Sequence, residues 1–326
     1  MIIETQPTYL AIIIPFYKDR YILDALQAIE KQTNQNFTVY IGDDNSPNSI
    51  QRALDSVSDE FRKKIVYHRF TDNLGGKSLT KQWERCINLS SDEPYIWLFS
   101  DDDLMPADAV DRFYQFIGDA YSSDKDLIRF NVQIIDDNGT IIRPAQPHPH
   151  FETAESFLTR RLTGTCISSA CEYIFSRRIY IEKNGFVEFP LAWCADDAAW
   201  INFSEQTGIY TIGGAPASWR MGGFNISSDK TSSYKLKIQA CIEFLKFAEQ
   251  KFSIDPHIKI DWLFGHLGLL NQTQKVKFYF HNALLSSGLF EKTFVVKTIV
   301  SRSVAKVNEK AKKAFSKVTG QPKQLS

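Results

Sequence analysis

The chain has 326 residues, 43% of them hydrophobic, and its 38 basic and 38 acidic side chains give a formal net charge of zero. This length allows one large domain with an appendage, or two domains, and the charge balance excludes a global attraction to nucleic acid. The five cysteines are odd in number and show no C-x-x-C spacing, which is typical of a reduced cytosolic protein without a cysteine metal site.

The sequence carries no signal for membrane insertion or export. No apolar run reaches the roughly 18 residues that suggest a membrane span. The segment of residues 1–5 has Glu4 where a signal peptide would have basic residues. We therefore expect a cytoplasmic protein, with no nucleic acid as a partner.

The first part of the chain alternates short apolar runs with helical patterns. The predicted strands are residues 10–14, 37–41, 65–70 and 95–100, and the predicted helices are residues 21–32, 50–63, 78–89 and 106–121. Strands that alternate with helices predict a mostly parallel sheet with crossover helices. The fold class is therefore α/β.

The pattern changes after residue 121. Residues 127–135 and 140–143 flank Asp136-Asp137-Asn138-Gly139, a hairpin signal. Further helices are predicted at residues 153–162, 177–184 and 196–206, and further strands at residues 172–176, 209–212 and 217–220. Beyond residue 228 the pattern is entirely helical.

Polar clusters follow three of the predicted strands. Asp43-Asp44 ends the second strand, Asp72-Asn73 the third, and Asp101-Asp102-Asp103 the fourth. The carboxyl ends of parallel strands meet at one edge, where ligands bind in open α/β sheets. In an extended segment Asp101 and Asp103 point the same way, which suits Mg²⁺ or Mn²⁺. The alternative is a solvated loop or the first turn of a helix beginning at Pro106.

The usual phosphate-binding loops are missing. There is no G-x-G-x-x-G after the first strand and no G-x-x-x-x-G-K-[ST], which argues against a dinucleotide oxidoreductase and a P-loop NTPase. A phosphorylated ligand would then depend on a metal at the acidic triplet, with Lys77 as a candidate helper. The alternative for Lys77 is a solvated loop lysine.

A second acidic pair, Asp196-Asp197, lies between apolar residues at a predicted helix start. These carboxylates are either an N-cap and its neighbour or a general base in a cleft. The two roles are compatible, although the positive end of a helix lowers the pKa of a carboxylate and weakens it as a base.

The order of these motifs resembles the inverting family 2 glycosyltransferases, which have the GT-A fold and use nucleotide-sugar donors. The resemblance covers residues 9–228. It rests on the residues that follow, taken in chain order: Ile-Ile-Ile-Pro-Phe-Tyr at 12–17, Ile-Gly-Asp-Asp-Asn-Ser at 41–46, Asn-Leu-Gly-Gly at 73–76, Phe-Ser-Asp-Asp-Asp at 99–103, Lys-Asn-Gly-Phe at 183–186, Asp196-Asp197, and Ser-Trp-Arg-Met-Gly-Gly-Phe-Asn-Ile-Ser at 218–227.

The resemblance implies a role for each candidate residue. Asp44 would bind the base, a uracil, with Asp43 in support, and Pro15 and Phe16 would surround the nucleoside. Asp103 would be the direct ligand of Mn²⁺ or Mg²⁺, with Asp101 near the ribose or the metal, and the register leaves Asp102 open. Asn73 and Lys77 would complete the donor site. Asp197 would be the base, beside Asp196, in a single in-line displacement that inverts the anomeric carbon.

The resemblance also implies a domain organisation. Residues 1–228 would form the catalytic domain, with a nucleotide-binding half at 1–105 and an acceptor half at 106–228, and residues 229–326 a helical C-terminal region. Three departures stand out: residues 77–81 lack the family's frequent Arg, Gly222 replaces a frequent His, and no Gln-x-x-Arg-Trp motif is present. The last departure favours transfer of one sugar at a time.

The implied function is sugar transfer to a saccharide or lipid-linked saccharide, in bacterial surface polysaccharide or lipopolysaccharide synthesis. One alternative is a binding or scaffold protein that kept the fold and lost transfer, although the motif acids are all present. Another is a sugar-nucleotide pyrophosphorylase, which would need a Gly-rich, basic first loop that residues 15–18 do not provide.

The last helical segment is basic and amphipathic. Residues 292–326 contain nine Lys or Arg and a single acid, Glu309. One narrow apolar stripe runs along it, formed by Val296, Val300, Val304, Val307, Ala311, Phe315 and Val318. The helix is expected either to lie on an anionic membrane surface, at the inner face of the cell membrane, or to pack on the catalytic domain.

Overall fold

The computed structural model of the protein describes residues 8–90, 92–118, 125–223 and 229–319. Its strands are β1 (Leu10–Phe16), β2 (Thr38–Asp43), β3 (Ile65–Arg69), β4 (Tyr95–Leu98), β5 (Leu127–Arg129), β6 (Val132–Ile135), β7 (Ile141–Arg143), β8 (Phe151–Glu152), β9 (Tyr173–Ser176), β10 (Ile209–Thr211) and β11 (Ala217–Arg220).

The helices flank these strands and then continue alone. They are α1 (Ile22–Glu30), α2 (Gln51–Asp55), α3 (Asp59–Arg62), α4 (Leu79–Ile87), α5 (Ala109–Ile117), α6 (Ala154–Leu162), α7 (Arg177–Glu182), α8 (Ala195–Ser204), α9 (Tyr234–Glu249), α10 (Pro256–Leu269), α11 (Gln274–Ser286) and α12 (Lys292–Thr319). Among the described residues, no helix is both long and apolar enough to cross a membrane.

Among the described residues, eight strands form the main sheet, in the order β3-β2-β1-β4-β9-β5-β10-β8. The first four strands are parallel, as the sequence predicted. Strand β1 is apolar throughout because both of its faces are covered. Ile12 and Ile14 belong to one buried cluster, and Ala11 and Ile13 belong to the other. The predicted α/β class with flanking helices is confirmed.

The second half of the sheet is mixed. Strand β9 is inserted antiparallel between β4 and β5, and β8 closes the edge antiparallel to β10. The predicted hairpin forms, but β6 and β7 join β11 in a separate three-stranded sheet. This small sheet reaches the acidic triplet through a bridge between Leu104 and Ser218.

Three predicted elements have different limits. The predicted helix at 50–63 is divided into α2 and α3, because the side chain of Ser58 accepts a hydrogen bond from the backbone N–H of Phe61 and begins a new helix. Helix α5 ends before Gly118, which has a φ of 71°. The predicted strand at 95–100 ends at Leu98, so the triplet lies in a bend after the strand.

The hydrophobic core continues from the sheet into the C-terminal helices. Trp200 of α8 stacks on Tyr173 with ring centroids 4.3 Å apart. Both rings belong to the same buried cluster as Phe244, Leu263 and Phe280 of α9, α10 and α11. The helical region therefore shares a core with the α/β part. The predicted division at residue 228 stays a prediction, since residues 224–228 lie outside the described part.

Candidate active site

Asp43 is the last residue of β2 and is completely buried. Its Oδ1 accepts a hydrogen bond from the backbone N–H of Ser46 at 2.7 Å. Its Oδ2 accepts from the Tyr67 hydroxyl at 2.6 Å and from Arg69 Nη1 at 2.8 Å. A buried carboxylate needs such partners. The hydrogen bonds of Asp43 therefore hold the turn after β2, which contains Asp44, against β3.

Asp44 is also buried, and it binds the turn after β3. Its two oxygens accept hydrogen bonds from the backbone N–H groups of Leu74 and Gly75, at 2.7 and 2.9 Å. Arg85 of α4 completes the arrangement with an ion pair to Asp44. Asp44 therefore joins two of the polar strand ends that the sequence predicted to converge.

Arg85 is a site residue that was not predicted from the sequence. Besides Asp44, its guanidinium donates to the carboxylate and the carbonyl of Asp72, each at 2.9 Å. It also lies 3.9 Å from the ring centre of Phe70. The family's frequent arginine was expected within residues 77–81. No local motif points to Arg85, which comes from further along α4.

The turn at residues 73–76 is shaped by close contacts. Asn73 Oδ1 accepts from the backbone N–H of Gly76 at 2.7 Å. A Cβ atom on Gly75 would lie 2.6 Å from Asp44 Oδ2, so a side chain at this position would displace the carboxylate. Lys77 follows this turn with an exposed side chain.

Asp101 links the acidic triplet to the end of β1. Its Oδ2 accepts from the backbone N–H groups of Tyr17 and Lys18, both at 3.0 Å. Pro15 is half-buried, and the ring of Phe16 is buried in the core. The carbonyl of Phe16 accepts the backbone N–H of Asp44 at 3.0 Å. The ends of β1, β2 and β4 are therefore held together by direct hydrogen bonds.

The other two acids of the triplet face different partners. Asp102 Oδ1 accepts from the hydroxyl of Ser100 at 2.8 Å. Asp103 is 2% exposed, and its Oδ1 accepts from the backbone N–H of Arg220 at 2.8 Å. The premise of an extended segment is wrong here, because the strand ends at Leu98 and the triplet bends. Asp101 and Asp103 consequently bind separate elements.

Arg220 is buried and fixes β11 to the triplet. Its Nε donates to the carbonyl of Asp102 at 2.8 Å, and its Nη2 forms an ion pair with Asp24 at 3.2 Å. Its guanidinium lies 4.3 Å from the ring centre of Tyr21. This arginine belongs to the closing motif of the resemblance. Residues 224–227 of that motif lie outside the described part.

Burial raises the pKa values of all three acids of the triplet. Burial, together with the charge of Asp102, raises the pKa of Asp101 to about 6. Burial also raises the pKa of Asp102, and it raises that of Asp103 well above its usual range. Hard oxygen donors that repel one another fit a divalent cation, which would relieve the repulsion.

The triplet does not converge as a three-ligand set. Within the described ranges, the one group of three His, Cys, Asp or Glu side chains close enough to share a metal lies elsewhere. Mg²⁺ commonly uses one or two carboxylates together with water and substrate phosphate oxygens. A cation bound by one or two acids of the triplet would therefore need further oxygens from the ligand.

The second acidic pair lies in the first turn of α8. The N-cap residue of this helix is Cys194, with a φ of 65°, so neither Asp196 nor Asp197 is the N-cap. That interpretation was wrong because the chain turns through a left-handed residue one position before Ala195. Both carboxylates instead lie at the positive end of the helix.

Asp197 is 3% exposed and is held by Arg161 of α6. The guanidinium donates from Nε to Oδ1 at 2.8 Å and from Nη2 to Oδ2 at 2.7 Å. Burial alone would lower the pKa of Arg161, but the charge and hydrogen bonds of Asp197 outweigh burial and raise that pKa. Arg161 lies 36 residues before Asp197 in the sequence, and no local motif predicts the contact.

Asp196 has a different environment from that of its neighbour. It is half-buried, and burial together with the charge of Asp197 raises its pKa to about 7. The two neighbouring acids therefore differ in burial and in bonding partners. Asp197 is fixed in a bidentate ion pair, whereas Asp196 binds a proton near neutral pH.

The predicted apolar stripe of the basic helix α12 is not buried by packing at the three positions that the structure describes. Val295 is completely buried, and Arg302 lies 4.2 Å from the ring centre of Phe264. Val296, Val300 and Val304 of the stripe are 49%, 56% and 52% exposed. The stripe side chains at 307, 311, 315 and 318 lie outside the described part.

Comparisons with known proteins match this architecture. The family model described as "Glycosyl transferase family 2" matches residues 11–183, just over half of the chain. No curated protein sequence matches the chain significantly.

Solved structures are similar across most of the chain. S. aureus TarS 1–349 in complex with UDP-GlcNAc has 14% identity and a TM-score of 0.62, covering 85% of this chain and 80% of that chain. TarS 1–349 alone has 14% identity and a TM-score of 0.59, covering 84% and 78%. A longer TarS chain has 15% identity and a TM-score of 0.56, covering 87% and 49%. At such identities the likeness shows a shared fold.

Proposed function

The chain belongs to glycosyl transferase family 2, and on this premise we propose that it transfers one sugar at a time from a UDP-sugar to an acceptor hydroxyl, with inversion at the anomeric carbon. The observation that supports this proposal best is the direct hydrogen bonding between the ends of four strands. Asp101, after β4, binds the backbone after β1, and Asp44, after β2, binds the turn after β3. A donor lying across this edge would contact these turns.

The nucleoside end of the donor is assigned to the turn around Asp44, Asn73 and Gly75. UDP-GlcNAc is the ligand of the structurally similar TarS fragment, which supports a uridine nucleotide here. Arg85 neutralises Asp44 and Asp72. It therefore keeps this acidic turn compact and leaves Lys77 as the exposed cation nearby.

Asp101 and Asp103 are the proposed ligands of Mn²⁺ or Mg²⁺. A cation bound there would neutralise charge on the diphosphate leaving group. The protein's own contribution is to hold both carboxylates in place, Asp101 through the backbone after β1 and Asp103 through the backbone of β11. Because the triplet supplies too few converging ligands by itself, we expect the cation to bind together with the donor.

The proton of the acceptor hydroxyl is assigned to the second acidic pair. Asp197 stands at the family's base position and stays the proposed base. Arg161 uses one lone pair of each carboxylate oxygen, and an ionised carboxylate offers about four acceptor sites. Asp197 can therefore still receive a proton. Asp196 is the second candidate, because its raised pKa matches a base working near neutral pH.

The experiment is a transfer assay with a panel of nucleotide-sugars and Mn²⁺, comparing Asp197→Asn with Asp196→Asn. Loss of a general base costs about 10²–10⁴-fold in kcat, so the base variant should fall in that range. The other variant should keep more than about a tenth of the activity. Full activity in both variants would remove the pair from the proton transfer, and no turnover of any donor would contradict the transferase proposal.

The acceptor is proposed to be a saccharide or lipid-linked saccharide of a bacterial surface polysaccharide or lipopolysaccharide. Helix α12 supports a location at the inner face of the membrane. Its apolar stripe is exposed at Val296, Val300 and Val304, and the segment 292–326 carries a strong excess of basic residues. An exposed apolar stripe with basic flanks suits an anionic lipid surface.

The membrane proposal has a direct test in vesicle sedimentation. Wild-type protein should bind vesicles rich in anionic lipid and should be released by high salt, since the attraction is partly electrostatic. A chain lacking residues 297–326 should remain in the supernatant. Val300→Ser should weaken binding, whereas Thr298→Ser, on another side of the helix, should leave it unchanged. Equal sedimentation of the shortened and full-length chains would contradict the proposal.

A further inference from the structure

Two cysteines and a histidine lie together beside the second acidic pair, although the cysteine spacing along the chain did not predict a metal site. Cys194 is the N-cap residue of α8, Cys241 lies on α9, and His266 lies on α10. One ligand atom from each side chain is within 4.8 Å of the other two. We propose that Cys194, Cys241 and His266 bind one zinc ion or a similar thiophilic divalent cation.

The ligand types favour zinc over the hard cations of the donor site. Thiolate and imidazole ligands suit Zn²⁺, whereas Mg²⁺ prefers oxygen. With bond lengths of about 2.3 Å to sulfur and about 2.0–2.1 Å to nitrogen, tetrahedral ligand atoms lie roughly 3.5–3.8 Å apart. The spacing within 4.8 Å is therefore at most about 1.3 Å wider than in a filled site, a difference that small side-chain rotations can close.

His266 is already held in the orientation that a metal ligand requires. Its Nδ1 lies 3.1 Å from the backbone carbonyl of Trp262, so Nδ1–H donates to that carbonyl and Nε2 carries the free lone pair. A metal-binding histidine usually donates its other ring N–H in this way.

The charge balance also favours a metal at this position. Cys194 and Cys241 are free cysteines that do not form a disulfide. Binding one Zn²⁺ forms two Zn–S bonds and one Zn–N bond and releases two protons to solvent. Two thiolates then neutralise the divalent cation. A neutral complex is the form that apolar surroundings tolerate.

A small cavity borders two of the three proposed ligands. This cavity of about 20 Å³ is lined by Cys241 and His266 together with Trp193, Lys237 and Leu263, and it has room for about one water molecule. Lys237 Nζ is turned toward the carbonyl of Asp229 and lies 4.6 Å from the ring centre of Trp193. A water molecule from this cavity would complete the tetrahedron, as in zinc sites with three protein ligands.

The ion would join the active-site helix to the C-terminal region. Cys194 precedes Asp196 and Asp197 by only two and three residues, while its partners lie on α9 and α10. The cation would therefore fix the first turn of α8 against two helices from outside the α/β part. This role is separate from the proposed sugar transfer, which uses a different cation on oxygen ligands.

The alternative for two neighbouring thiols is a disulfide. Both cysteines are free thiols in the structure. A disulfide would use only the two cysteines, whereas a metal site also uses His266, which lies within 4.8 Å of both sulfurs. The experiment therefore includes disulfide formation as an outcome that would overturn the proposal.

The first measurement uses the full-length, reduced wild-type chain. After removal of metal by a chelator, one equivalent of Co²⁺ should give the visible bands of a tetrahedral site and a near-ultraviolet thiolate charge-transfer band. Zn²⁺ should displace these bands at a stoichiometry of one. Zn²⁺ should also protect Cys194 and Cys241 together from alkylation, as mapped by mass spectrometry.

Variants then separate this site from the donor site. Cys241→Ser and His266→Gln should lose the charge-transfer band or the tetrahedral pattern, whereas Cys86→Ala, at another buried cysteine, and Asp103→Ala should retain both. If the variants fail to fold, the alkylation pattern of the wild type still decides. Absence of stoichiometric binding, or isolation of a Cys194–Cys241 disulfide from a chain that takes up no metal when reduced, would overturn the proposal.

Discussion

Replacing Arg161 by methionine should destabilise the protein strongly, because it leaves Asp197 buried without its partner. Methionine keeps an unbranched apolar stem but cannot donate the hydrogen bonds at 2.8 and 2.7 Å. Breaking a buried ion pair by removing one partner costs about 3–5 kcal/mol. The Arg161 side chain is 24% exposed, so water can reach the site and the cost should lie near ~3 kcal/mol.

Urea unfolding measures this cost as a shift of the midpoint at constant slope. Arg161 Nη1 also donates to the carbonyl of Cys166 at 3.2 Å. The cost of the single variant therefore exceeds the contribution of the ion pair with Asp197 to the free energy of unfolding. A double-mutant cycle with Asp197→Leu removes that contribution, and the coupling should be about 2–3 kcal/mol. The double variant should be more stable than Arg161→Met alone, because no buried charge is left unpaired.

The measured cost of Arg161→Met decides whether Asp197 is held by a buried ion pair. A cost below about 1 kcal/mol for Arg161→Met would match an exposed ion pair and would mean that Asp197 is not held as described. Arg161→Lys is the matched control, since lysine keeps the charge but loses the bidentate geometry. It should fall between the wild type and the methionine variant.

Three further predictions concern the donor site and a buried histidine. Gly75→Ala should raise the donor KM at least tenfold, since its Cβ would lie 2.6 Å from Asp44 Oδ2, whereas Gly213→Ala, with open space around it, should leave KM unchanged; equal KM values in both variants would contradict this. A chelator should abolish transfer, and Mn²⁺ or Mg²⁺ without added zinc should restore it; transfer that continues after complete metal removal would show that no cation is needed. Burial lowers the pKa of His148 to about 3, so the unfolded chain binds the extra proton and stability falls as pH drops below about 6.5. His148→Gln should reduce the loss of unfolding free energy between pH 6.5 and pH 5 by about 1–2 kcal/mol, as measured by urea unfolding. An unchanged dependence of this free energy on pH would show that His148 is not responsible for the loss.

Much of the candidate site was predictable because strand ends are local features. An apolar run followed by acids marks both the end of a buried strand and its polar edge, and this held for Asp43-Asp44 and for Asp101 to Asp103. The partners of these acids were not predictable in the same way. Arg85 pairs with Asp44, and Arg161 pairs with Asp197. The backbone N–H of Arg220 donates to Asp103. No local pattern connects these arginines to the acids that they contact.

The sequence by itself determined the order of strands and helices, the α/β class and the family, since periodicity and motif order are written along the chain. Tertiary structure alone decided how the acids differ. Packing α6 against α8 places Arg161 on Asp197 and leaves Asp196 with a raised pKa. The packing of α9 and α10 near the start of α8 brings Cys194, Cys241 and His266 together. The physical reason is that burial and charge depend on distances in space, which sequence spacing does not set.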